Sequence, residues 1–217
     1  MTVAKERRSY HAPRRAEQAA ATRAAIISAA LKLFAEHGYG PTTMAMIAAE
    51  ARVTPKSVYT LAEKPQLLLL AVDRAIVGDD EPVALADRPE MRALLAAPEP
   101  DAMTRRAARL GARMLLRLYP IYRAFEQAAG TEPALREAWR DYQRRRRADT
   151  RTVVRALAGA GGLRPGLSVE RATDTLWALV GWHPVALLVE ERGWSEVQLT
   201  RWLEDVFVAL VADPDRR

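Results

Sequence analysis

Four side chains that can donate hydrogen bonds lie within one short stretch of the chain: Lys56, Ser57, Tyr59 and Thr60. Their ammonium and hydroxyl groups can bind the phosphate oxygens or the base edges of a nucleic acid. A lysine can donate to guanine, whereas serine and threonine hydroxyls bind several bases. The set contains no Arg, Asn or Gln for a two-pronged base contact, so it indicates nucleic-acid binding without predicting a base sequence.

The residues around this set predict two short helices joined by a tight turn. Thr54 followed by Pro55 is a helix start, because a threonine hydroxyl caps the first turn and proline is favoured at the first helical position. Thr43 is the predicted cap of the preceding helix, and Arg52-Val53 is the predicted turn. The apolar residues of the preceding helix have helical spacing: Met44, Ile47, Ala48 and Ala51. Residues 41–60 are therefore interpreted as a helix-turn-helix.

The charge distribution agrees with this interpretation. Residues 1–64 hold ten Lys or Arg and five Asp or Glu, whereas the rest of the chain holds 23 and 22. Nearly all of the formal net charge of +6 therefore lies around the helix-turn-helix, where a polyanion would bind. Residues 1–15, which include Arg14 and Arg15, are expected to form a disordered basic arm. This arm is either a solvated tail or a segment that follows phosphates or enters the minor groove.

Longer helices are predicted on both sides of the helix-turn-helix. One runs from about Ala16 to His37 and ends at Gly38, and another runs from Lys64-Pro65 to about Val77. Lys64 stands at a helix start, where free backbone N–H groups favour an anion, so it is a candidate phosphate ligand. The later predicted helices are 89–96, 102–118, a short one after Pro120 to 129, 132–158, 168–191 and 195–212. Several of them are long, so we expect a helical bundle.

Composition narrows the class of protein. The 217 residues are rich in Ala, Leu and Arg and lack alternating β-branched runs, so we expect an all-α protein. There is no Cys, and the three His residues are far apart, with no HExxH motif, P-loop or nucleophile elbow. We therefore expect no enzyme, no cofactor and no metal site. We see no signal peptide and no apolar run longer than Leu67 to Val72, so a cytoplasmic protein without a membrane segment is expected.

The first 77 residues resemble the TetR family of bacterial transcriptional repressors. The matching residues are Ile26 to Tyr39, Thr42-Thr43, Ile47-Ala48, Ala51 to Thr54, Val58-Tyr59, Lys64 and Leu67-Leu68. A looser resemblance to one subgroup of the family rests on residues 162–167, Asp174, 177–179, 188–194 and Trp202-Leu203. The resemblance implies a helix-turn-helix DNA-binding domain at 16–64 after the arm at 1–15. It also implies a helical domain for ligand binding and dimerisation at 65–217.

The resemblance further implies a homodimer that binds double-stranded DNA at a palindromic operator and is released by a small, largely apolar effector. By position, Thr43, Tyr59 and Lys64 would contact phosphates, whereas Lys56, Ser57 and Thr60 would face base edges. The predicted DNA-binding set is completed by Thr54, Arg14 and Arg15. The resemblance to this family of repressors also implies that the chain is a repressor.

The same resemblance places the dimer interface on the last two helices and an effector pocket among the middle helices. The candidate interface residues are Leu176, Trp177, Val180, Leu187, Trp202, Val206 and Leu210. The candidate pocket residues are Tyr119, Tyr122, Phe125, Trp139, Tyr142, Trp177, Trp182 and His183. Pro184 is expected to disturb its helix and so to free His183 to line the cavity. Burial within the subunit's own core is the alternative for every one of these residues.

Two features leave other interpretations open. The link after Tyr59 departs from the family's pattern, because Ala62 replaces the usual aromatic residue and Lys64 follows one position early. A helical small-molecule binding or scaffolding protein with a degenerate DNA-binding head is therefore the alternative function. Arg144 to Arg147 form either a second nucleic-acid patch or a solvated helix face paired with nearby acidic residues, and we favour the helix face.

Overall fold

Helices account for nearly all the regular structure of this chain. The computed structural model describes residues 6–78 and 85–213, apart from the side chains of residues 6–13, Val77 and Ala86. The N-terminal helices are α1 (Glu6–His37), α2 (Met44–Glu50), α3 (Pro55–Leu61) and α4 (Lys64–Val77). After a 3-10 turn (Leu85–Asp87) come α5 (Pro89–Leu95), α6 (Pro100–Thr131), α7 (Pro133–Gly159), α8 (Val169–Leu179), α9 (Trp182–Ala186), a π-helical segment (Leu187–Glu191) and α10 (Glu196–Leu210).

The expected all-α fold is confirmed. Within the described ranges, the only β feature is an isolated bridge between Leu163 and Ala212. None of the described helices has the length and apolar character needed to cross a membrane.

Helix α1 begins earlier than the sequence predicted. It starts at Glu6 rather than near Ala16, so the described part of the predicted disordered arm, residues 6–15, is helical. Residues 1–5 of that arm lie outside the described residues. The alanine-rich segment from Ala16 onward forms a stable helix, and adding further turns to an existing helix is far cheaper than nucleating one.

The turn between α1 and α2 is fixed by a buried hydroxyl and a left-handed glycine. Gly38 has a φ of 82° and ends α1 as predicted. The Thr42 side chain is fully buried, and its Oγ1 lies 2.8 Å from the Gly38 carbonyl oxygen and 3.1 Å from that of Leu33, to which it donates. Phe34 and Tyr39 stack across the turn with their ring centroids 5.8 Å apart. These contacts set where the helix-turn-helix leaves α1.

One hydrophobic core joins the N-terminal helices to the rest of the chain. It includes Phe34 on α1, Ile47 on α2, Leu68 on α4, and Ile121 and Phe125 on α6, all with almost no exposed surface. The predicted domain boundary at 64/65 coincides with the start of α4, yet this core runs across it. Helix α4 is therefore shared by the two parts, and we keep the boundary as a prediction.

Pro120 lies inside a continuous helix, so the prediction that it separates two helices is wrong. Helix α6 runs from Pro100 to Thr131 without a break. A proline in a helix interior costs about 3 kcal/mol, since it removes one backbone hydrogen bond and crowds the preceding turn. Leu118, Ile121 and Tyr122 are buried on either side of it. Burial of these large side chains outweighs the local cost of the proline.

The predicted helix 168–191 is interrupted, and Pro184 is not the cause. Helix α8 ends at Leu179, and Gly181 has an extended backbone (φ −140°, ψ −179°) before α9 begins at Trp182. Pro184 falls in the first turn of α9, where its missing N–H removes no helical hydrogen bond. The break therefore lies just before the position that the sequence suggested.

Candidate nucleic-acid interface and ligand cavity

Both helices of the predicted helix-turn-helix are capped as the sequence predicted. Thr43 Oγ1 accepts a hydrogen bond from the Met46 backbone N–H at 3.2 Å. Thr54 Oγ1 accepts one from the Ser57 N–H, also at 3.2 Å, and Pro55 opens α3. Arg52, in the turn, has a φ of 55°, a left-handed conformation that lets the two short helices cross tightly.

Helix α3 has one buried face and one exposed face. Val58 is fully buried in the core of the N-terminal helices (residues 26–72, called the head below). Lys56, Tyr59 and Thr60 are exposed, Tyr59 to 61%. The buried valine anchors the helix, and the three exposed residues lie at helical spacing on its opposite side. The sequence therefore predicted correctly that these groups share one accessible face.

The hydroxyl groups on α3 are partly used within the helix. Thr60 Oγ1 donates to the Lys56 carbonyl at 2.8 Å, and the hydroxyls of Ser57 and Thr54 lie 3.0 Å apart. These hydroxyls keep lone pairs and methyl or methylene surface for a partner, but their geometry is already fixed. Among the described residues, neither the Lys56 ammonium nor the Tyr59 hydroxyl has a hydrogen-bond partner. Lys56 and Tyr59 are thus the most available groups on the helix.

Lys64 packs against the turn between α1 and α2 rather than projecting freely into solvent. Its Nζ donates to the Gly40 carbonyl at 3.1 Å and lies 4.4 Å from the centre of the Tyr39 ring. Burial lowers the pKa of this amine, with Glu132 acting in the opposite direction. One of its three N–H donors is therefore already used to hold the α1–α2 turn. The sequence did not reveal this role, because Tyr39 and Gly40 are distant from Lys64 along the chain.

Arg14 and Arg15 are exposed on α1. Among residues 14–37 of this helix, burial begins at Ile26, about three turns beyond the two arginines. The structure thus brings the five predicted residues from Thr54 to Thr60 together on α3 and its cap, with Thr43 and Lys64 before and after it in the chain. The two arginines extend along a separate helix.

An open cavity of about 800 Å³ is lined by helices from both parts of the chain, from α1 and α4 to α10. Small-molecule sites in proteins commonly have volumes of this size. Most of its walls are apolar, and they include Leu70 on α4, Met91 and Leu94 on α5, Met114 and Leu118 on α6, and Phe207 on α10. The space suits a ligand with a substantial apolar body.

Only one of the eight predicted pocket residues, Tyr142, lines this cavity. Tyr122 and Phe125 are buried in an aromatic cluster, in which the ring centroids of Tyr122 and Tyr142 are 4.8 Å apart and those of Phe125 and Trp139 are 5.1 Å apart. Core packing, the alternative stated above, therefore describes most of this set. The walls are largely aliphatic residues whose spacing in the sequence looks the same as that of ordinary core residues.

The remaining predicted pocket residues lie elsewhere in the C-terminal part. Trp182 and His183 stack with ring centroids 3.7 Å apart, and His183 Nε2 lies 3.3 Å from a Glu126 carboxylate oxygen. The His183 side chain is 63% exposed, so it does not line the cavity as expected. Tyr119 packs among α6, α9 and α10, and Trp177 packs against the Arg146 guanidinium.

Six of the described residues that line the cavity are charged. Arg146 is the most engaged of them, since its guanidinium donates to the carbonyls of Trp177 at 2.6 Å and Val180 at 2.9 Å and to Gln143 Oε1 at 3.2 Å. Burial lowers its pKa, though it remains a cation at neutral pH. It thereby satisfies carbonyls at the end of α8, where helical hydrogen bonding stops. The other five are Arg23, Asp73, Arg74, Arg145 and Asp149.

The arginine run at 144–147 is mostly paired with acidic side chains. Arg144 and Arg145 both contact Asp141, each at 3.0 Å. Arg147 contacts Asp174 at 2.7 Å and Glu170 at 3.1 Å, and these pairs join α7 to α8. The pairing favours the helix-face interpretation over a second nucleic-acid patch.

The predicted dimer residues are divided between the interior and the surface. Leu176 is 2% exposed within its own subunit and lines the cavity with Val180, so its assignment to an interface is wrong. Leu187 is 63% exposed, as an interface residue of a separate chain would be. Trp177, Trp202, Val206 and Leu210 are half-buried against neighbouring helices. Leu179 and Val197 are also exposed, at 50% and 60%, and the sequence did not single them out.

Comparison with known proteins gives a family match for part of the N-terminal helices and a fold match for most of the chain. Residues 26–61 match the family model of bacterial regulatory proteins of the tetR family. The chain has no significant match among curated proteins.

Several solved structures share the fold. A protein described as a TetR-family transcriptional regulator from Mesorhizobium loti MAFF303099 is 23% identical, with a TM-score of 0.68 over 89% of this chain and 98% of that chain. A transcriptional regulator from Saccharomonospora viridis in complex with choline is 19% identical, with a TM-score of 0.69 over 88% and 97%. SmeT, the repressor of the Stenotrophomonas maltophilia multidrug efflux pump SmeDEF, is 19% identical, with a TM-score of 0.60 over 90% and 92%. At these identities the likeness establishes a common fold.

Proposed function

We infer that the chain is a TetR-family transcriptional regulator, because residues 26–61 match that family and the chain has the fold of its members. We propose that it is a repressor that binds a palindromic operator as a homodimer and is released by a small effector. The observation that carries the DNA-binding part is the exposed face of α3, where Lys56 and Tyr59 stand in water on a helix anchored by buried Val58.

The dimer is supported by exposed apolar side chains on the last helices. Leu179 ends α8, Leu187 begins the π-helical segment, and Val197 lies in the first turn of α10, and each is at least half exposed. A second copy of the same surface would remove them from water, and two-fold symmetry would present two α3 helices to the two halves of a palindrome.

The effector role is supported by the position of the cavity. Leu70 and Ile76 on α4 face the cavity, whereas Leu67 and Leu68 on the same helix are buried in the core shared with the head. A ligand that moves α4 would therefore move the core residues against which α3 packs. The solved relative with choline shows that a protein of this fold has been obtained with a small organic molecule bound.

The proposal is tested by selecting genomic DNA fragments with the full chain and then measuring affinities by fluorescence anisotropy at two salt concentrations. We expect a short palindrome to be enriched and its affinity to fall steeply with salt. Tyr59→Ala and Lys56→Ala are each expected to weaken operator binding about tenfold or more, because contacts of this kind contribute roughly 1–3 kcal/mol. Arg155→Ala is the control, since Arg155 is an exposed cation on α7 outside the head.

Unchanged operator affinity in both head variants would reject the assigned interface. If no sequence is enriched at all, the alternative of a small-molecule binding or scaffolding protein with a degenerate head is favoured instead.

A further inference from the structure

One cation in the cavity wall is partly buried without a carboxylate partner. Arg146 on α7 is half-buried and lines the cavity. Among the described residues its guanidinium hydrogen-bonds only to neutral acceptors, which are the Trp177 and Val180 carbonyls and Gln143 Oε1. Burying a charge that no opposite charge compensates is costly, and burial accordingly lowers the pKa of Arg146. A bound anion would remove much of this cost.

The two carboxylates in the wall belong to a different group of charges. Asp73 and Asp149 are exposed, and the charge that acts on the pKa of both is that of Arg145, which is exposed as well. Water screens charges in such positions. Apart from burial, the groups that act on the pKa of Arg146 are neighbouring tyrosines, and no carboxylate of the described residues is among them. The partly buried charge of the cavity is therefore positive.

The Arg146 guanidinium keeps donors for a ligand. A guanidinium has five N–H groups, two on each terminal nitrogen and one on Nε. Each of its nitrogens makes one hydrogen bond, Nε at 3.2 Å, Nη1 at 2.9 Å and Nη2 at 2.6 Å, so one N–H remains on each terminal nitrogen. The two oxygens of a carboxylate accept well from such a pair of nitrogens. The three existing bonds also hold the guanidinium in place, so a ligand meets donors whose position is already fixed.

The rest of the cavity complements an apolar body attached to an anionic group. Aliphatic, thioether and aromatic side chains form most of its wall, among them Leu94, Met114, Leu118 and Phe207. A small inorganic anion would leave nearly all of this surface and most of the volume of about 800 Å³ unused. The cavity therefore suits a molecule with one charged end and a large apolar part.

We propose that the ligand of this cavity is an amphiphilic carboxylate, an organic acid with a large apolar group, whose carboxylate pairs with Arg146. The inference rests on the proposed function only in taking the cavity to be the effector site. It adds the chemical class of the ligand and the residue that selects its charge.

Dodecanoate and dodecylammonium test this directly, because they have the same alkyl chain and carry opposite charges at neutral pH. Binding of each to the full chain without DNA is measured by titration calorimetry, below the concentrations at which the probes form micelles. We expect the unmodified protein to bind dodecanoate at least about tenfold more tightly, in keeping with the strength of charge-assisted hydrogen bonds.

Arg146→Met removes the charge and should abolish this preference, so that the two probes bind with similar affinity. The comparison is made within one protein, so any loss of stability in the variant lowers both affinities alike. Arg145→Met is the matched control, because it removes an exposed arginine from the same wall and the same helix. This control should keep the preference for dodecanoate.

Tighter binding of dodecylammonium, equal binding of the two probes or no binding of either by the unmodified protein would overturn the inference, and this comparison needs no variant. A preference for dodecanoate that persists in Arg146→Met would overturn the assignment of Arg146. The DNA selection is carried out without either probe. A failure of DNA binding would therefore contradict the proposed function and leave the measured charge preference of the cavity intact.

Discussion

At the scale of single residues, Arg146 links the ligand cavity to the break between α8 and α9. Arg146 lines the cavity, and its guanidinium donates to the Trp177 and Val180 carbonyls. A salt bridge is not its main role, because no carboxylate contacts it among the described residues. A ligand that displaced this side chain would release the C-terminal end of α8.

Arg146→Met is therefore expected to destabilise the fold by about 1–2 kcal/mol, since it leaves partly buried carbonyls without donors while keeping a side chain of similar length. Urea denaturation measures the loss, and backbone hydrogen exchange should increase near residues 176–181. Arg144→Met provides the control, because Arg144 is exposed and contacts only Asp141 at 3.0 Å, so a change of at most about 0.5 kcal/mol is expected there. Equal losses in the two variants would contradict a special role for Arg146.

At the scale of elements, some helix ends are set by neighbouring residues, whereas others depend on contacts with residues far along the chain. The caps at Thr43 and Thr54 were predicted correctly, since each depends on side chains within three residues of the helix start. The continuity of α6 through Pro120 and the break after Leu179 were not predicted. Both are decided by contacts with residues far along the chain, namely the core around Ile121 and the Arg146 guanidinium.

The same distinction applies to the candidate site. The exposed α3 set followed from local periodicity, and its members share one helix as expected. The cavity did not, because its walls come from helices spread between Arg23 and Phe207. Large aromatic residues of the middle helices instead filled the core, since burying such side chains contributes most to packing.

Two glycines give opposite expectations for helix stability. Gly38→Ala should destabilise the protein by about 1 kcal/mol or more, because a φ of 82° is strained for any residue with a Cβ. Gly130→Ala should stabilise it by about 0.5–1 kcal/mol, since Gly130 lies within α6 and an added Cβ meets nothing within 4 Å. Thermal unfolding of the two variants beside the parent chain measures both. Shifts of the same sign would show that backbone conformation does not govern these positions.

At the scale of the whole molecule, α4 connects the N-terminal helices to the cavity, and α8 connects the cavity to the exposed apolar residues of the last helices. Helix α4 packs on α1 and α6 and contributes to both the shared core and the cavity. Helix α8 contributes Leu176 to the cavity and ends at exposed Leu179. A ligand in the cavity would therefore contact α4, which supports the proposed DNA-binding helices, and α8, which reaches the proposed subunit interface.

This arrangement predicts that assembly and operator binding are lost together. Leu187→Glu combined with Val197→Glu places two charges on the exposed apolar surface of the last helices, where a symmetric dimer would bring each close to its counterpart. Burying such charges without partners costs several kcal/mol, so the protein should sediment as a monomer. Its operator affinity should fall by at least about a hundredfold, because each subunit then binds a half-site alone and loses the gain from linked binding.

The control is Glu137→Lys, which changes an exposed charge on α7 and should leave both the sedimentation coefficient and the operator affinity unaltered. Circular dichroism is expected to show that the doubly substituted chain keeps its helices, because Leu187 and Val197 are 63% and 60% exposed. A folded variant that still sediments as a dimer would place the interface elsewhere on the molecule. A monomer with full operator affinity would show that one head suffices, and the palindromic mode of binding would then have to be abandoned.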